Sequence, residues 1–245
     1  MRKERISIII PCFNEENIIV DNILKVHAYM LLRYDDFEII AVNDGSCDDT
    51  MGKLRVAQSK VPLRVIDSKE NEGKGSAVRK GVFSAEGEGG LVMFLDADLA
   101  IPVQELEKFV VEIDKGRDIV VASRFVPGLM VIEPVLWYRK IMEKVFCLLR
   151  MVILCNWKIK DTQCGFKVFK REVAFRVFEV ATIKRFAFDA EIIFIANNLG
   201  YSIVELPVTL DNPKKSNVRL LYDPINMLFA LLKIRMNAIR GGYRR

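Results

Sequence analysis

The sequence predicts an α/β fold, a mostly parallel central sheet flanked by helices. Three observations carry this expectation. Short apolar, often β-branched runs alternate with stretches of helical spacing from residue 5 to residue 123. Those runs are apolar throughout rather than every second residue, as in strands covered on both faces. The polar clusters fall where the runs end, the edge at which open parallel sheets hold ligands.

The elements follow in order. "RISIIIP" is a strand closed by Pro11, and "EENIIVDNILKVHAYMLL" has helical spacing over 15–32. "FEIIAVND" is the second strand; "CDDTMGKLRVAQSK" is a helix, with Ser46 or Asp48 as its N-cap. "PLRVID" is a third strand, and "GKGSAVRKGVFSA" a helix opened by glycines. "LVMFLDAD" ends in two acids, a helix covers 103–114, and "DIVVAS" is another strand. Beyond about residue 125 the pattern changes to a long amphipathic stretch over 134–157, then "CGFKVF", two short helices, the strand "YSIVELPV" and an apolar helix over about 222–239. With no repeat, linker or low-complexity segment, one domain is expected over 1–245. Residues 1–125 would form a nucleotide half, 126–210 an acceptor half, and 211–245 an amphipathic tail.

Composition narrows the function. The chain has 245 residues, a net charge of +5, five cysteines and a single histidine. One histidine, His27 inside an expected helix, nearly excludes histidine-built zinc sites and Ser-His-Asp triads. The cysteines form no C-x-x-C pair and follow no secretory signal, which reads as a reduced, cytoplasmic chain. The positive balance favours anionic partners, whether phosphorylated small molecules, acidic lipid or nucleic acid.

The most telling motif is "FLDADL". Two carboxylates about 5 to 6 Å apart repel by about 3 kcal/mol at an effective dielectric near 20. Asp96 and Asp98 therefore call for a proton or a cation, and hard oxygens suit Mg²⁺ or Mn²⁺ bridging phosphates. The plain alternative is that Asp98 caps the helix at Val103. "NEGKGSAVRKG" resembles a phosphate loop but fails both standard patterns: Ser68 stands where a Walker A motif needs its first glycine, and Val78 where a dinucleotide motif needs its third. What remains is a helix start at Gly73 and Lys74, equally a turn or an anion site. Asp44, before Gly45, is a turn residue or an acceptor for a base or ribose.

"SIIIPCFNEE", "VNDGSCDDT", "NEGKGSAVRKG", "FLDADL", "SRF", "DTQCGFKVFKREVA" and "RFAFDAE" together resemble the family 2 glycosyltransferases of GT-A fold over roughly residues 5–210. The resemblance is to their dolichyl-phosphate (polyprenyl-phosphate) members, and "DTQCGFK" is more similar to the glucosyltransferase branch than to the mannose synthases. It implies an inverting transferase that moves a sugar, glucose from UDP-glucose before N-acetylglucosamine or mannose, to dolichyl or another polyprenyl phosphate, with a family 2 transferase of soluble or polysaccharide acceptor as the alternative. It implies no nucleic-acid partner. By the same resemblance, Pro11, Asn14 and Glu15 line the nucleotide pocket together with Gly73 and Lys74, and Asp44 reads the base or ribose. Asp96 and Asp98 hold Mg²⁺ or Mn²⁺ against the diphosphate, and Arg124 and Arg139 meet phosphates. Arg185, Asp189 and Glu191 lie toward the acceptor. Ala100 departs from the pattern, since many mannose synthases carry a glutamine ligand there.

A lipid acceptor places the protein at a membrane. No run of about 20 uncharged apolar residues codes a span. "PVLWYRKIMEKVFCLLRMVILCNW" carries the charges at 139, 140, 143, 144 and 150 on one helical stripe, and "INMLFALLKIRMNAIRGGYRR" joins an apolar run to five basic residues. Both read as interfacial helices, with core-covering helices as the alternative, and the expected location is peripheral on the cytoplasmic face of a membrane.

Overall fold

The computed structural model describes residues 4–132, 137–211 and 223–243, with the side chains of 137–141 and 223–225 left out. The alternating elements are β1 (Ile6–Cys12), α1 (Ile19–Arg33), β2 (Phe37–Asp44), α2 (Thr50–Gln58), β3 (Arg64–Ser68), α3 (Lys74–Ser84), β4 (Leu91–Leu95), α4 (Leu106–Asp114) and β5 (Ile119–Ser123). They are followed by β6 (Met130–Val131), α5 (Trp137–Leu154), β7 (Phe166–Lys170), α6 (Arg171–Val180), α7 (Phe188–Asn198), β8 (Ile203–Pro207), β9 (Thr209–Leu210) and α8 (Asp223–Ile239). Among the described residues seven strands form one sheet in the order β3-β2-β1-β4-β7-β5-β8, and β6 pairs with β9 apart from it.

The uniformly apolar runs are explained by two cores, one on each face. Ile8, Ile10, Ile39, Ala41, Met93 and Leu95 point to the α1/α2/α4 side. Their neighbours Ile9, Ile40, Val42, Val92 and Phe94 point to the side of α3, α6 and α7. On that second face Phe94 is stacked on Phe169 at 5.9 Å and flanked by Phe178 and Phe188. His27 is a structural residue of α1, edge-on to Phe37 at 5.7 Å.

The sheet is mostly parallel, with one strand reversed at its centre. β7 runs antiparallel between β4 and β5, pairing Leu95 with Phe166 and Ile119 with Phe169. This reversal decides which residues reach the functional edge. The carboxyl ends of β1, β2, β3 and β4 lie together there, and because β7 is reversed it is the segment leading into it, residues 161–165, that joins them.

Two local expectations are corrected. Asp98 does not cap the helix after it: its Oδ1 accepts the Ala100 N–H at 3.0 Å, and Val103–Glu105 is a 3-10 turn leading into α4. At α2 the N-cap position is Asp49, not Ser46 or Asp48: the Ser46 hydroxyl donates to Asn43 Oδ1 at 2.6 Å, and Asp48, one residue further out, accepts the Thr50 N–H at 3.0 Å. Local hydrogen bonds to nearby backbone thus displace the simplest capping pattern.

Candidate active site

The strand ends open into one cavity of about 2130 Å³, floored by Leu95–Asp98 and reaching α5 and α8. At its β1 side Pro11 lines the wall as β1 ends. Asn14 takes a left-handed conformation, φ 58°, which lets its N–H donate to Ser46 Oγ at 3.0 Å and its Oδ1 accept the Cys47 N–H at 2.8 Å. The Glu15 N–H donates to Thr50 Oγ1 at 2.8 Å. These bonds stitch the β1 loop to the β2 loop and fix one wall.

Asp44, at the end of β2, holds the glycine loop: its carboxylate accepts the N–H groups of Glu72 at 3.1 Å and Gly73 at 2.7 Å. Burial raises its pKa, and those two amides pull it back only in part. Gly73 then starts α3 with φ 108°, a backbone suited to glycine. A side chain there would meet Arg185 Cγ at 2.6 Å and the Lys184 carbonyl at 2.8 Å. The same carbonyl accepts the Ser76 N–H at 2.9 Å, so the 182–186 loop is seated directly on the start of α3. Lys184 Nζ reaches Glu72 at 2.8 Å, and with Lys80 it holds that carboxyl down to about 2. Arg185 is exposed on the cavity wall, with Asn71 Oδ1 at 3.5 Å.

Three carboxylates and two lysines meet on the floor. Lys74 Nζ lies 2.5 Å from Asp96 Oδ1. Burial disfavours its charge, yet Asp96, Asp189 and Asp98 outweigh that and hold the ammonium above its ordinary pKa. Asp98 is raised, first by burial and next by the Asp96 charge beside it. Asp189, at the start of α7, is fully buried against the equally buried Lys167 of β7, and burial raises it too. Lys167 Nζ also donates to the Cys164 carbonyl at 2.6 Å and stands 5.1 Å over the Phe94 ring. Formally the floor carries three negative charges against two positive, which leaves it receptive to a cation.

Gly165 presses on this floor. A Cβ at that position would stand 1.9 Å from Asp96 Oδ2, so the start of β7 reaches Asp96 only as glycine. Gly165→Ala is expected to turn the Asp96 carboxylate out of place. A displacement of about 1 Å in reacting groups costs about a hundredfold, so turnover should fall by that order. The thermal midpoint should stay nearly unchanged, because a side-chain end, not backbone, gives way. Paired rate and melting measurements check this.

The second cluster lies toward α5. Arg124, just past β5, is locked to Asp161 through Nε at 2.7 Å and Nη2 at 3.0 Å, and its Nη1 meets Glu143 of α5 at 2.7 Å. Although burial opposes the ionised form, Arg124 holds the Asp161 carboxyl below the ordinary carboxylate range. The Lys160 and Asp161 N–H groups donate to the two oxygens of Glu205, both at 2.8 Å. Arg150 of α5 is 1% exposed and donates to the carbonyls of Asn156, Ile159 and Lys160, clamping the loop that delivers Asp161. The stripe of charges on α5 therefore faces inward at 143 and 150. Outward point Val145, Leu148 at 57% exposure and Val152.

Of the residues singled out from the sequence, Pro11, Asn14, Glu15, Asp44, Gly73, Lys74, Asp96, Asp98, Arg124, Arg185 and Asp189 share this cavity. Arg139 is in α5, but its side chain lies outside the described residues. Glu191 is placed elsewhere: fully buried, it accepts the Thr182 and Ile183 N–H groups at 2.9 and 2.7 Å and the Tyr243 hydroxyl at 2.7 Å. It anchors the base of the Arg185 loop and the turn after α8 and does not line the cavity. Lys167, Glu143, Glu72 and Gly165 escaped the sequence reading as site residues. A lysine inside the apolar strand "FKVFK" was the one local signal, since such a charge needs a buried partner.

A family model described as glycosyl transferase family 2 matches residues 7–178. The chain is 31% identical over 259 residues to a human protein named dolichyl-phosphate beta-glucosyltransferase, covering 98% of this chain and 78% of that protein. It is 33% identical over 254 residues to the mouse protein of that name, with coverages of 98% and 78%, and 30% identical over 262 residues to the Saccharomyces cerevisiae one, with 98% and 76%. Among solved structures it is similar to glucosyl-3-phosphoglycerate synthase from Mycobacterium tuberculosis in complex with uridine diphosphate, with TM-score 0.66, 18% identity, and 95% and 80% of the two chains covered. It is also similar to S. aureus TarS, with TM-score 0.60, 20% identity, and 95% and 65% covered. The fold is the GT-A fold expected from the sequence.

Proposed function

Because the chain belongs to glycosyl transferase family 2, we propose that it is an inverting glucosyltransferase that moves glucose from UDP-glucose to dolichyl or another polyprenyl phosphate. Relatives of that name are 30% to 33% identical over nearly the whole chain. The structural observation that carries the reading is the single cavity joining the Asp96/Asp98 end of the sheet to α5 and α8.

The chain's own residues divide the work. Residues 1–125 hold most of the donor and 126–210 most of the acceptor side, with Arg185 reaching back to the diphosphate and Arg124 forward to the acceptor phosphate, and 211–245 contact lipid. Pro11, Asn14, Glu15 and Asp44 shape the nucleoside end; Lys74, at the start of α3, and Arg185 meet the diphosphate. Transfer forms a bond from a phosphate oxygen of the acceptor to the anomeric carbon as the bond to the diphosphate breaks. Negative charge grows on the leaving group, and cationic side chains there stabilise the transition state more than the ground state. A phosphomonoester has a second pKa near about 6 and is mostly a dianion at neutral pH, so the acceptor needs positive charge more than a base. Arg124, just past β5, and Arg139, on α5, supply that charge. Asp161 is fully engaged by Arg124 and serves as its holder.

The donor set of Asp96 and Asp98, two hard oxygens one residue apart on the cavity floor, fits Mg²⁺ or Mn²⁺. Such an ion, when bound, would neutralise the departing diphosphate. Ala100 adds no ligand; its N–H instead fixes Asp98.

Seating on a membrane is part of the same proposal. Among the described residues no helix is long and apolar enough to cross a bilayer. Yet exposed large apolar side chains concentrate on residues 130–157 and 229–239, with Met130, Ile132, Leu148, Trp157 and Phe229 prominent. An apolar face turned outward on α5 and α8 beside basic residues such as Lys233 and Arg235 fits a lipid surface. The unpaired thiols support the cytoplasmic face. In flotation with anionic vesicles the protein should rise with the lipid, and Leu148→Glu with Phe229→Glu should leave it at the bottom while still folded. Wild-type protein found wholly in the unbound fraction would overturn the seating. For the reaction, a panel of UDP- and GDP-sugars with dolichyl phosphate should give lipid-linked product best with UDP-glucose; turnover with GDP-mannose alone would refute that assignment.

A further inference from the structure

Two features of the Asp96/Asp98 floor go beyond the donor reading, on which this inference rests. The first is that Asp96 already has a cation: Lys74 Nζ is 2.5 Å from its Oδ1. The second is that, among the described residues, no group of three or more His, Cys, Asp or Glu side chains stands close enough to hold an ion. Asp189, the third carboxylate of the floor, is taken by Lys167. The protein thus offers a divalent ion two carboxylates, one of them occupied.

We propose that Lys74 is the resident counter-cation of Asp96 and makes divalent-ion binding depend on the donor's diphosphate. Without a donor, an ion must displace an ammonium from Asp96 and then find most of its ligands in water, although hard divalent ions take about six oxygens. A nucleoside diphosphate changes both conditions at once. Its anionic oxygens give Lys74 another partner, at a helix start that itself favours anions, and they supply the missing ligands. Ion and donor therefore bind as a pair, and each raises the other's affinity by the same factor. The lysine works as an ordering device: it keeps Asp96 neutralised between turnovers and releases it only when a diphosphate arrives.

The test measures Mn²⁺ binding to the full chain by electron paramagnetic resonance, with and without UDP, for wild type, Lys74→Met and Lys74→Arg. In wild type, UDP should tighten Mn²⁺ binding by between about 5- and 150-fold, the usual range of such couplings. Lys74→Met keeps the buried aliphatic stem and removes the charge. It should bind Mn²⁺ alone about tenfold more tightly than wild type and lose most of the gain from UDP. Lys74→Arg should keep the wild-type dependence on UDP. Lys74→Met with wild-type or weaker affinity for Mn²⁺ alone would overturn the inference, as would Lys74→Arg behaving like Lys74→Met. Wild type that binds no Mn²⁺ even with UDP would instead overturn the metal reading itself.

Discussion

Asp98→Asn is expected to lower glucosyl transfer by about a thousandfold, the upper range for removing one charge-stabilising group from a reaction centre, while the thermal midpoint holds or rises. The two halves of this expectation have the same cause. Asp98 sits on the cavity floor beside Asp96, and burial together with that neighbour's charge raises its pKa. A carboxyl whose folded-state pKa is raised opposes folding once the pH passes its unfolded value, because the folded chain must then hold an unwelcome charge. Asparagine removes the charge and keeps an oxygen to accept the Ala100 N–H. Stability at neutral pH therefore loses nothing, and the activity that the charge serves is lost. Initial rates with UDP-glucose and a thermal melt of the same preparation check both. An Asn variant with wild-type turnover would remove the acid pair from the mechanism.

Asp161→Asn should have the opposite profile, with stability as its largest effect. Asp161 is 1% exposed and binds Arg124 through both carboxylate oxygens and through the Arg124 backbone N–H. Removing one partner of a buried ion pair costs about 3 to 5 kcal/mol, because the other charge stays buried. In a chain of this size that lowers the thermal midpoint by about 10 °C. The loop of residues 156–161 and Glu143 of α5 depend on the same pair, so transfer should fall as well. The pH dependence has a definite sign. Arg124 depresses the folded-state pKa of Asp161, so its stabilisation is fully present above the ordinary carboxylate range. It is lost as the pH falls through the depressed value. The gap between wild type and Asp161→Asn in denaturant melts should thus be constant from neutral pH to about pH 5 and close only in strong acid.

The parts of this architecture that were legible in the sequence share a physical reason. Strands buried on both faces read as continuous apolar runs, so β1, β2, β4 and β5 were plain, and the polar residues at their ends were the ones that line the cavity. Strand direction leaves no such mark. Nothing in "CGFKVF" says that β7 runs against its neighbours, and that reversal is what brings Gly165 and Asp161 to the site. Helical periodicity has a related limit: it tells which residues share a face but not which way the face points. The charges of α5 were legible as one stripe, and the structure turns Arg150 and Glu143 inward and Leu148 and Leu149 out. Asp44 was legible as an acceptor at a strand end, yet the loop it holds, through the Glu72 and Gly73 amides, is 28 residues away in sequence. A long-range polar pair such as Tyr243 with Glu191 was beyond reach, because each partner alone looks like an ordinary residue of its own element; for Lys167 the sequence signals that a partner is needed but not that it is Asp189.

The central claim is that this cavity joins glucose from a nucleotide donor to a lipid phosphate in one inverting step. The most direct measurement is proton NMR of the anomeric centre in the lipid product made from UDP-α-glucose and dolichyl phosphate. The expected product is a β-linked glucosyl phosphate that accumulates as UDP is released. An α-linked product, or UDP release without any lipid-linked glucose, would contradict it.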